Sequence, residues 1–150
     1  MESSSTPTRV LVVAHKTAAT GPLLEAVRER ARRGPCVFTL LVPNAAHGLH
    51  KVVDPEDQGA GEAEAVIERA VPLLEAAAGT HVESIVGAPD PVVAAHDAIN
   101  LRGFDEVIVS TLPTKLSRWL KLDLPSKISG SGLPVTTVTP EEDATSAASG

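Results

Sequence analysis

Polar and basic side chains directly follow two apolar runs that are typical of buried strands. The runs span residues 10–14 and 107–109, and the side chains after them are His15, Lys16, Thr17, Ser110 and Thr111. Imidazole, ammonium and hydroxyl groups in such a place can bind an anionic ligand through charge-assisted hydrogen bonds. We expect a small-molecule cleft here. For His15, contact with a ligand and a hydrogen bond to a strand-end carbonyl are both open.

A locally basic, serine-rich stretch follows the second of these runs in a chain that is acidic overall. Its candidate ligand-binding residues are Lys115, Arg118, Ser126 and Lys127. Such side chains could hold a phosphate-bearing ligand. A solvated basic helix face would give the same pattern, and both interpretations stay open.

The sequence gives only weak indications of a metal site, a catalytic site or a reactive cysteine. His47 and His50 precede acidic residues in a long segment and could supply metal ligands, but no third nitrogen or sulfur ligand is fixed by spacing, so we predict a surface loop and no metal. No nucleophile elbow, phosphate-binding P-loop or zinc-protease helix is present, and we predict no catalytic residues. The single cysteine, Cys36, starts an apolar run and is interpreted as a small buried hydrophobe.

The composition excludes several classes of protein. Aromatic residues make up 2% of the 150 residues and the formal net charge is −6, which argues against a nucleic-acid binder. No stretch is apolar for long enough to cross a bilayer, and the first eight residues lack the apolar region of a signal peptide. We therefore expect a cytoplasmic protein that contacts neither membrane nor nucleic acid.

Alternating strand and helix patterns predict one α/β domain over residues 9–139, between disordered tails at 1–8 and 140–150. The predicted strands span residues 9–15, 36–42, 80–86, 106–110 and 135–139. A long loop is expected over 43–59 and a helix over 60–78, in which Pro72 should cause a kink or a break. Asp90 and Pro91 start a further helix, and Gly103 ends it.

The polarity of the strands predicts their order in the sheet. The third and fifth candidates are the least apolar and are expected at the edges, whereas the first and fourth are expected inside. An open, parallel, five-stranded sheet of order 3-2-1-4-5 with helices on both faces satisfies this pattern. Its topological switch lies between strands one and four, where ligands of such sheets bind.

This pattern resembles the universal stress protein family over residues 9–139. The local matches are residues 10–14, 87–91, 104–110 and 132–135. The resemblance implies a Rossmann-like fold of the adenine-nucleotide alpha-hydrolase type and an adenine nucleotide, ATP or AMP, as candidate cofactor. It also implies a homodimer formed through the C-terminal edge strand.

The resemblance implies an aspartate at the end of the first strand and a glycine motif, G-x2-G-x9-G-[ST], after the fourth. Here His15 takes the place of the aspartate, and the motif positions hold Ser110, Pro113, Asp123 and Leu124. Pro113 has no N–H to offer a phosphate, and Asp123 is expected to cap the following helix with its own carboxylate. Weak or no ATP binding is therefore predicted.

Three hypotheses about function follow. The first is a non-enzymatic regulatory or stress-response module with an altered nucleotide cleft. The second is an ATP- or AMP-binding protein in which Lys115, Arg118, Ser126 and Lys127 replace the glycine loop. The third is a weak hydrolase or transferase that uses His15 and Lys16. We favour the first.

Overall fold

The structure is a computed structural model that describes residues 7–15, 17–44, 55–111 and 123–139, with the side chains of 55–60 left out. Along the chain the described elements are β1 (Thr8–Val13), α1 (Gly21–Arg32), β2 (Cys36–Pro43), α2 (Pro55–Ala78), β3 (Val82–Gly87), α3 (Pro91–Arg102), β4 (Glu106–Ser110), α4 (Leu124–Ser129) and β5 (Val135–Val138). Strands and helices alternate, as the sequence predicts.

The five strands form a parallel sheet in the order β3-β2-β1-β4-β5, which confirms the predicted order. Apolar composition decides this order because central strands are covered on both faces and edge strands are not. The last four residues of β1 are buried, whereas Glu83 and Ser84 of β3 are exposed. The topological switch therefore lies between β1 and β4.

Helices cover both faces of the sheet. Alternate residues of β1 point to opposite faces, so Val10 and Val12 belong to one apolar cluster and Leu11 and Val13 to the other. The first cluster contains the buried faces of α1 and α2, and the second contains those of α3 and α4. Each helix holds its place by burying one apolar stripe against the sheet.

The predicted start and end of α3 are confirmed. The Asp90 carboxylate accepts hydrogen bonds from the backbone N–H groups of Val92 and Val93, and Pro91 occupies the first turn. At the other end Gly103 adopts a φ of 80°, and its N–H donates to the carbonyl of Ile99. Only glycine takes this left-handed conformation at little cost.

Helix α2 and the start of strand β1 differ from the predictions. Helix α2 begins at Pro55 and not at residue 60, because a first-turn proline followed by Glu56 and Asp57 is a favourable helix start. The helix continues past Pro72 to Ala78, so this proline does not divide it. Strand β1 begins at Thr8, inside the predicted tail, because its N–H donates to the carbonyl of Pro35 at 3.1 Å.

Several predictions fall outside the described residues, including those for His47, His50 and most of both tails. Among the residues that are described, no helix is both long enough and apolar enough to pass through a bilayer.

Candidate functional site

The carboxyl ends of β1 and β4 lie side by side, as the sheet order requires. Val13 pairs with Val109 in the parallel register, and the N–H of Ala14 donates to the carbonyl of Leu41 at 3.1 Å. The segments after these two strands diverge because β1 leads to α1 on one face of the sheet and β4 leads on to the other. This divergence places the predicted cleft at the carboxyl edge.

Two hydroxyl groups join the walls of this cleft. The Thr17 Oγ1 and Ser110 Oγ atoms lie 2.6 Å apart, and either can be the donor. Thr17 is 3% exposed and Ser110 is 1% exposed. Both residues were predicted at the site, and the structure brings them into direct contact across the switch point.

A tight turn after β1 holds Thr17 in place. The N–H of Ala18 donates to the carbonyl of His15, and the N–H of Thr20 donates to the carbonyl of Thr17. The Thr20 hydroxyl also donates to the Thr17 carbonyl at 2.9 Å. The turn therefore fixes the Thr17 backbone through two donors, and the side chain is left to meet Ser110.

His15 and Thr111 complete the described floor of the cleft. Both are buried, at 8% and 2% exposure. The Thr111 N–H donates to the carbonyl of Val138 at 2.9 Å and so extends the pairing of β4 with β5 by one residue. Four of the predicted site residues thus lie at one edge of the sheet.

The start of α4 departs from the prediction. Asp123 occupies the N-cap position, but its side chain makes no capping hydrogen bond. Its backbone has φ 60° and ψ 42°, whereas a capping residue has an extended backbone, and the second helical residue, Pro125, has no N–H to donate. The Asp123 side chain is therefore exposed at the start of α4 and does not cap the helix.

Ser126 and Lys127 lie on α4 with exposed side chains. Helix α4 is anchored through Leu124 and Ile128, which are fully buried. It also contacts α3, where His96 Nε2 lies 3.3 Å from the Lys127 carbonyl; the carbonyl can only accept, so this nitrogen carries the hydrogen. The remaining predicted site residues, Lys16, Lys115 and Arg118, lie outside the described residues, as does Pro113.

Cys36 lies at the amino end of β2, at the opposite end of the strands from the cleft, and pairs there with Thr8 of β1. It is partly buried, in partial agreement with the predicted buried hydrophobe. Burial raises the pKa of its thiol, while the nearby Arg30 guanidinium lowers it and the Glu106 carboxylate raises it. Because Cys36 pairs with Thr8 and His15 follows Thr8 by seven residues, Cys36 and His15 are roughly 20 Å apart and cannot act as a pair.

Three contacts that hold the surrounding elements together were missed by sequence reasoning. Arg30 and Glu106 form an ion pair that ties α1 to β4, and His96 ties α3 to α4. Both join residues far apart in the chain, so no local pattern reveals them. The Thr20–Thr17 contact is different, because a threonine three residues after another is a recognisable local hydrogen-bonding signal.

Among the described residues, no group of three or more histidine, cysteine, aspartate or glutamate side chains could hold a metal ion. This statement does not extend to His47, His50 and Asp54. The described side chains at the carboxyl ends of β1 and β4 therefore offer hydroxyl and imidazole groups.

Solved structures similar to the chain include universal stress proteins. The chain is similar to the one from Archaeoglobus fulgidus, with 13% identity over 87% of this chain and 93% of that one and a TM-score of 0.62. A universal stress protein from Archaeoglobus fulgidus in complex with dAMP aligns at 13% identity over 89% of this chain and 98% of that one, with a TM-score of 0.56. A universal stress protein in complex with cAMP aligns at 17% identity over 91% and 100%, with a TM-score of 0.55.

No protein-family model matches the chain, and no curated protein matches it significantly. The chain therefore has the universal stress protein fold, at an identity that establishes the fold alone.

Proposed function

We propose that this chain is a non-enzymatic, universal-stress-protein-like regulatory module whose switch-point cleft binds adenine nucleotides weakly or not at all. The single observation that carries the proposal is the buried contact between the Thr17 and Ser110 hydroxyls, 2.6 Å apart. It occupies the position where the resemblance places the first glycine of the phosphate motif, at Ser110. A pair of hydroxyls that bond each other offers fewer hydrogen bonds to a phosphate than free backbone N–H groups do.

The geometry of Asp123 supports the same proposal. The resemblance places the third motif glycine at this position, and Asp123 has the left-handed backbone that a glycine would adopt there. Its side chain is exposed and makes no cap to α4. A carboxylate about 4 Å from a phosphate repels it by about 1 kcal/mol per unit charge even in water. Asp123 thus combines the backbone conformation of a glycine with a negative charge at this motif position.

A second candidate function rests on the solved neighbours, two of which carry dAMP and cAMP. In this alternative the chain binds ATP or AMP through the side chains of Lys115, Arg118, Ser126 and Lys127. Ser126 and Lys127 are exposed on α4 and are accessible to a ligand. In this alternative, the affinity for the nucleotide depends more on the cationic side chains of Lys115, Arg118 and Lys127 than on backbone N–H groups.

Calorimetric titration with ATP, AMP and cAMP separates the two candidates. The proposed function predicts no binding below about millimolar concentration, and micromolar affinity for any of the three would contradict it. The alternative predicts such affinity, with a loss of about tenfold in a Lys127→Ala variant. Phosphate release from ATP should be the same for the wild type and His15→Ala; a faster wild-type reaction would indicate an enzyme instead.

The C-terminal edge strand supports a homodimer as part of this proposal. Strand β5 pairs only with β4 in the described sheet, and it contains no charged residue. Thr136 and Thr137 are exposed on it. An uncharged, unpaired strand edge readily adds a strand from another chain.

A lysine on this edge tests the dimer. Thr136→Lys should weaken self-association by at least tenfold, because a buried strand pairing does not accommodate an added charge. Sedimentation equilibrium measures the effect, and Ser129→Lys on α4, also exposed, serves as the control. A wild-type chain that is monomeric at about 100 μM would contradict the homodimer.

A further inference from the structure

A shallow groove of about 550 Å³ lies between α2 and the edge strand β3, away from the cleft described above. On the helix side it is lined by Val71 and Pro72, and on the strand side by the four consecutive residues 81–84. Consecutive residues of a strand point to opposite faces of the sheet. A groove that touches the three consecutive β3 residues 82–84 must therefore run along the free edge of β3 and not over one face.

The groove combines an apolar floor with unpaired backbone. Val71 packs against the core, and Val82 is 2% exposed. Strand β3 pairs with β2 alone in the described sheet. At its start the Val82 N–H already donates to the Glu75 carboxylate at 3.0 Å, so the outer backbone groups offered to another strand are those that follow Val82. Across the groove, Pro72 has no N–H, so the Glu68 carbonyl receives no hydrogen bond from the residue one turn later in α2.

The charges along the groove favour a ligand with basic side chains. Its described lining contains the carboxylates of Glu68 and Glu83 and no lysine or arginine. Glu68 is exposed, and the Glu83 side chain stays 58% exposed although it accepts a hydrogen bond from Arg102. A second copy of this chain paired through β3 would bring two acidic grooves together, which is unfavourable. A segment with basic side chains would be attracted instead.

We propose that the free edge of β3 and the groove beside it bind an extended peptide segment of another protein, in which basic side chains alternate with aliphatic ones. The segment adds a strand to β3 through backbone hydrogen bonds. Its aliphatic side chains lie on the Val71 and Val82 floor, and its basic side chains face Glu68 and Glu83. This surface works independently of the nucleotide cleft.

A model peptide tests this proposal. An alternating lysine–valine hexapeptide, acetylated and amidated, matches the six residues of β3. Titrated into the ¹⁵N-labelled full chain, it should shift the amide resonances of Val82–Gly87 and of the Val71 turn. Glu68→Gln should weaken binding by about two- to fivefold, the usual effect of one exposed ion pair. Asp97→Asn, an exposed acid on α3 and outside the groove, should leave the affinity unchanged.

Two further peptides separate backbone pairing from charge attraction. The lysine–valine peptide with every amide methylated keeps its charges but cannot donate to β3, and it should bind at least tenfold more weakly. A glutamate–valine hexapeptide should not bind. The proposal would be overturned if the methylated peptide or the glutamate–valine peptide bound as tightly as the lysine–valine peptide. Resonance shifts away from β3 and α2, or no binding of the lysine–valine peptide at about millimolar concentration, would also overturn it. Concentration-dependent shifts of the β3 amides without peptide would assign the edge to a second copy and overturn it as well.

Discussion

The hydroxyl groups of Thr17 and Ser110 form a buried hydrogen bond that closes the floor of the switch point, with 2.6 Å between the two oxygens. Thr17 belongs to the turn after β1 and Ser110 ends β4, so this bond joins segments 93 positions apart in the chain. Whatever enters the cleft meets two hydroxyls that are already paired.

Thr17→Val should destabilise the fold by about 1–3 kcal/mol, because it keeps the side-chain shape and leaves the Ser110 hydroxyl buried without its partner. Ser110→Ala should have a similar effect. The double variant should lose less than the sum of the two, since it leaves no hydroxyl stranded. Urea denaturation measures all three free energies of unfolding, and additive effects would show that the two side chains act separately.

Gly87, the last residue of β3, is packed so closely that an added methyl group does not fit. A Cβ atom there would lie 2.7 Å from Leu41 Cδ1 and 2.8 Å from Ala94 Cβ. Both neighbours are buried, so neither can move away freely. Gly87→Ala should lower the free energy of unfolding by about 1–3 kcal/mol, measured by thermal and urea denaturation.

The matched control for Gly87 is Gly61 in α2, where a Cβ atom would meet nothing within 4 Å. Alanine is the better helix former, so Gly61→Ala should raise stability by about 0.5–1 kcal/mol. If Gly87→Ala leaves the free energy of unfolding unchanged, α3 can shift outward from the sheet.

Asp123 couples backbone strain to ligand affinity. Its left-handed backbone, with φ 60°, is unfavourable for a residue with a side chain. Asp123→Gly should therefore raise the free energy of unfolding by about 0.5–1 kcal/mol and, by removing the carboxylate, raise the affinity for AMP by about three- to tenfold.

Asp123→Asn separates the two effects. Asparagine tolerates the same backbone but carries no charge, so it should raise AMP affinity without the gain in stability. Calorimetry measures the affinity and urea denaturation the stability. If neither variant binds AMP better than the wild type, Asp123 does not oppose the phosphate.

The Cys36 thiol should make stability depend on pH in the alkaline range. Burial raises the pKa of this thiol in the folded chain, so the folded state disfavours the thiolate. Stability is complete below the pKa of the unfolded-state thiol and is lost as pH rises through the folded-state pKa. The chain contains no tyrosine, so phenol groups do not titrate in the same range.

Cys36→Ala isolates this effect. The difference in free energy of unfolding between wild type and variant should change from about pH 8 to about pH 10, with the wild type losing more. Iodoacetamide should also modify the folded thiol more slowly than the urea-unfolded thiol near pH 8. Equal rates would show that burial does not protect Cys36.

The sequence alone determined the α/β class, the strand order and hence the switch point between β1 and β4. Continuous apolar runs mark β1 and β4 as central, and the polar residues of β3 and β5 mark them as edges. The start of α3 was also predictable from the sequence, because Asp90 is a favourable N-cap residue and Pro91 is a favourable first-turn residue. Each of these features depends on short-range periodicity or on capping, which neighbouring residues specify by themselves.

The tertiary structure decided how the site residues relate to one another. The Thr17–Ser110 bond, the Arg30–Glu106 pair and the close approach of Gly87 to Leu41 all join residues that are distant in the chain. Asp123 shows the limit of local rules: its residue type predicts a helix cap, but the left-handed backbone and the following Pro125 prevent one. Packing fixes such geometry because it sums contacts from several elements, and no single segment of sequence contains them.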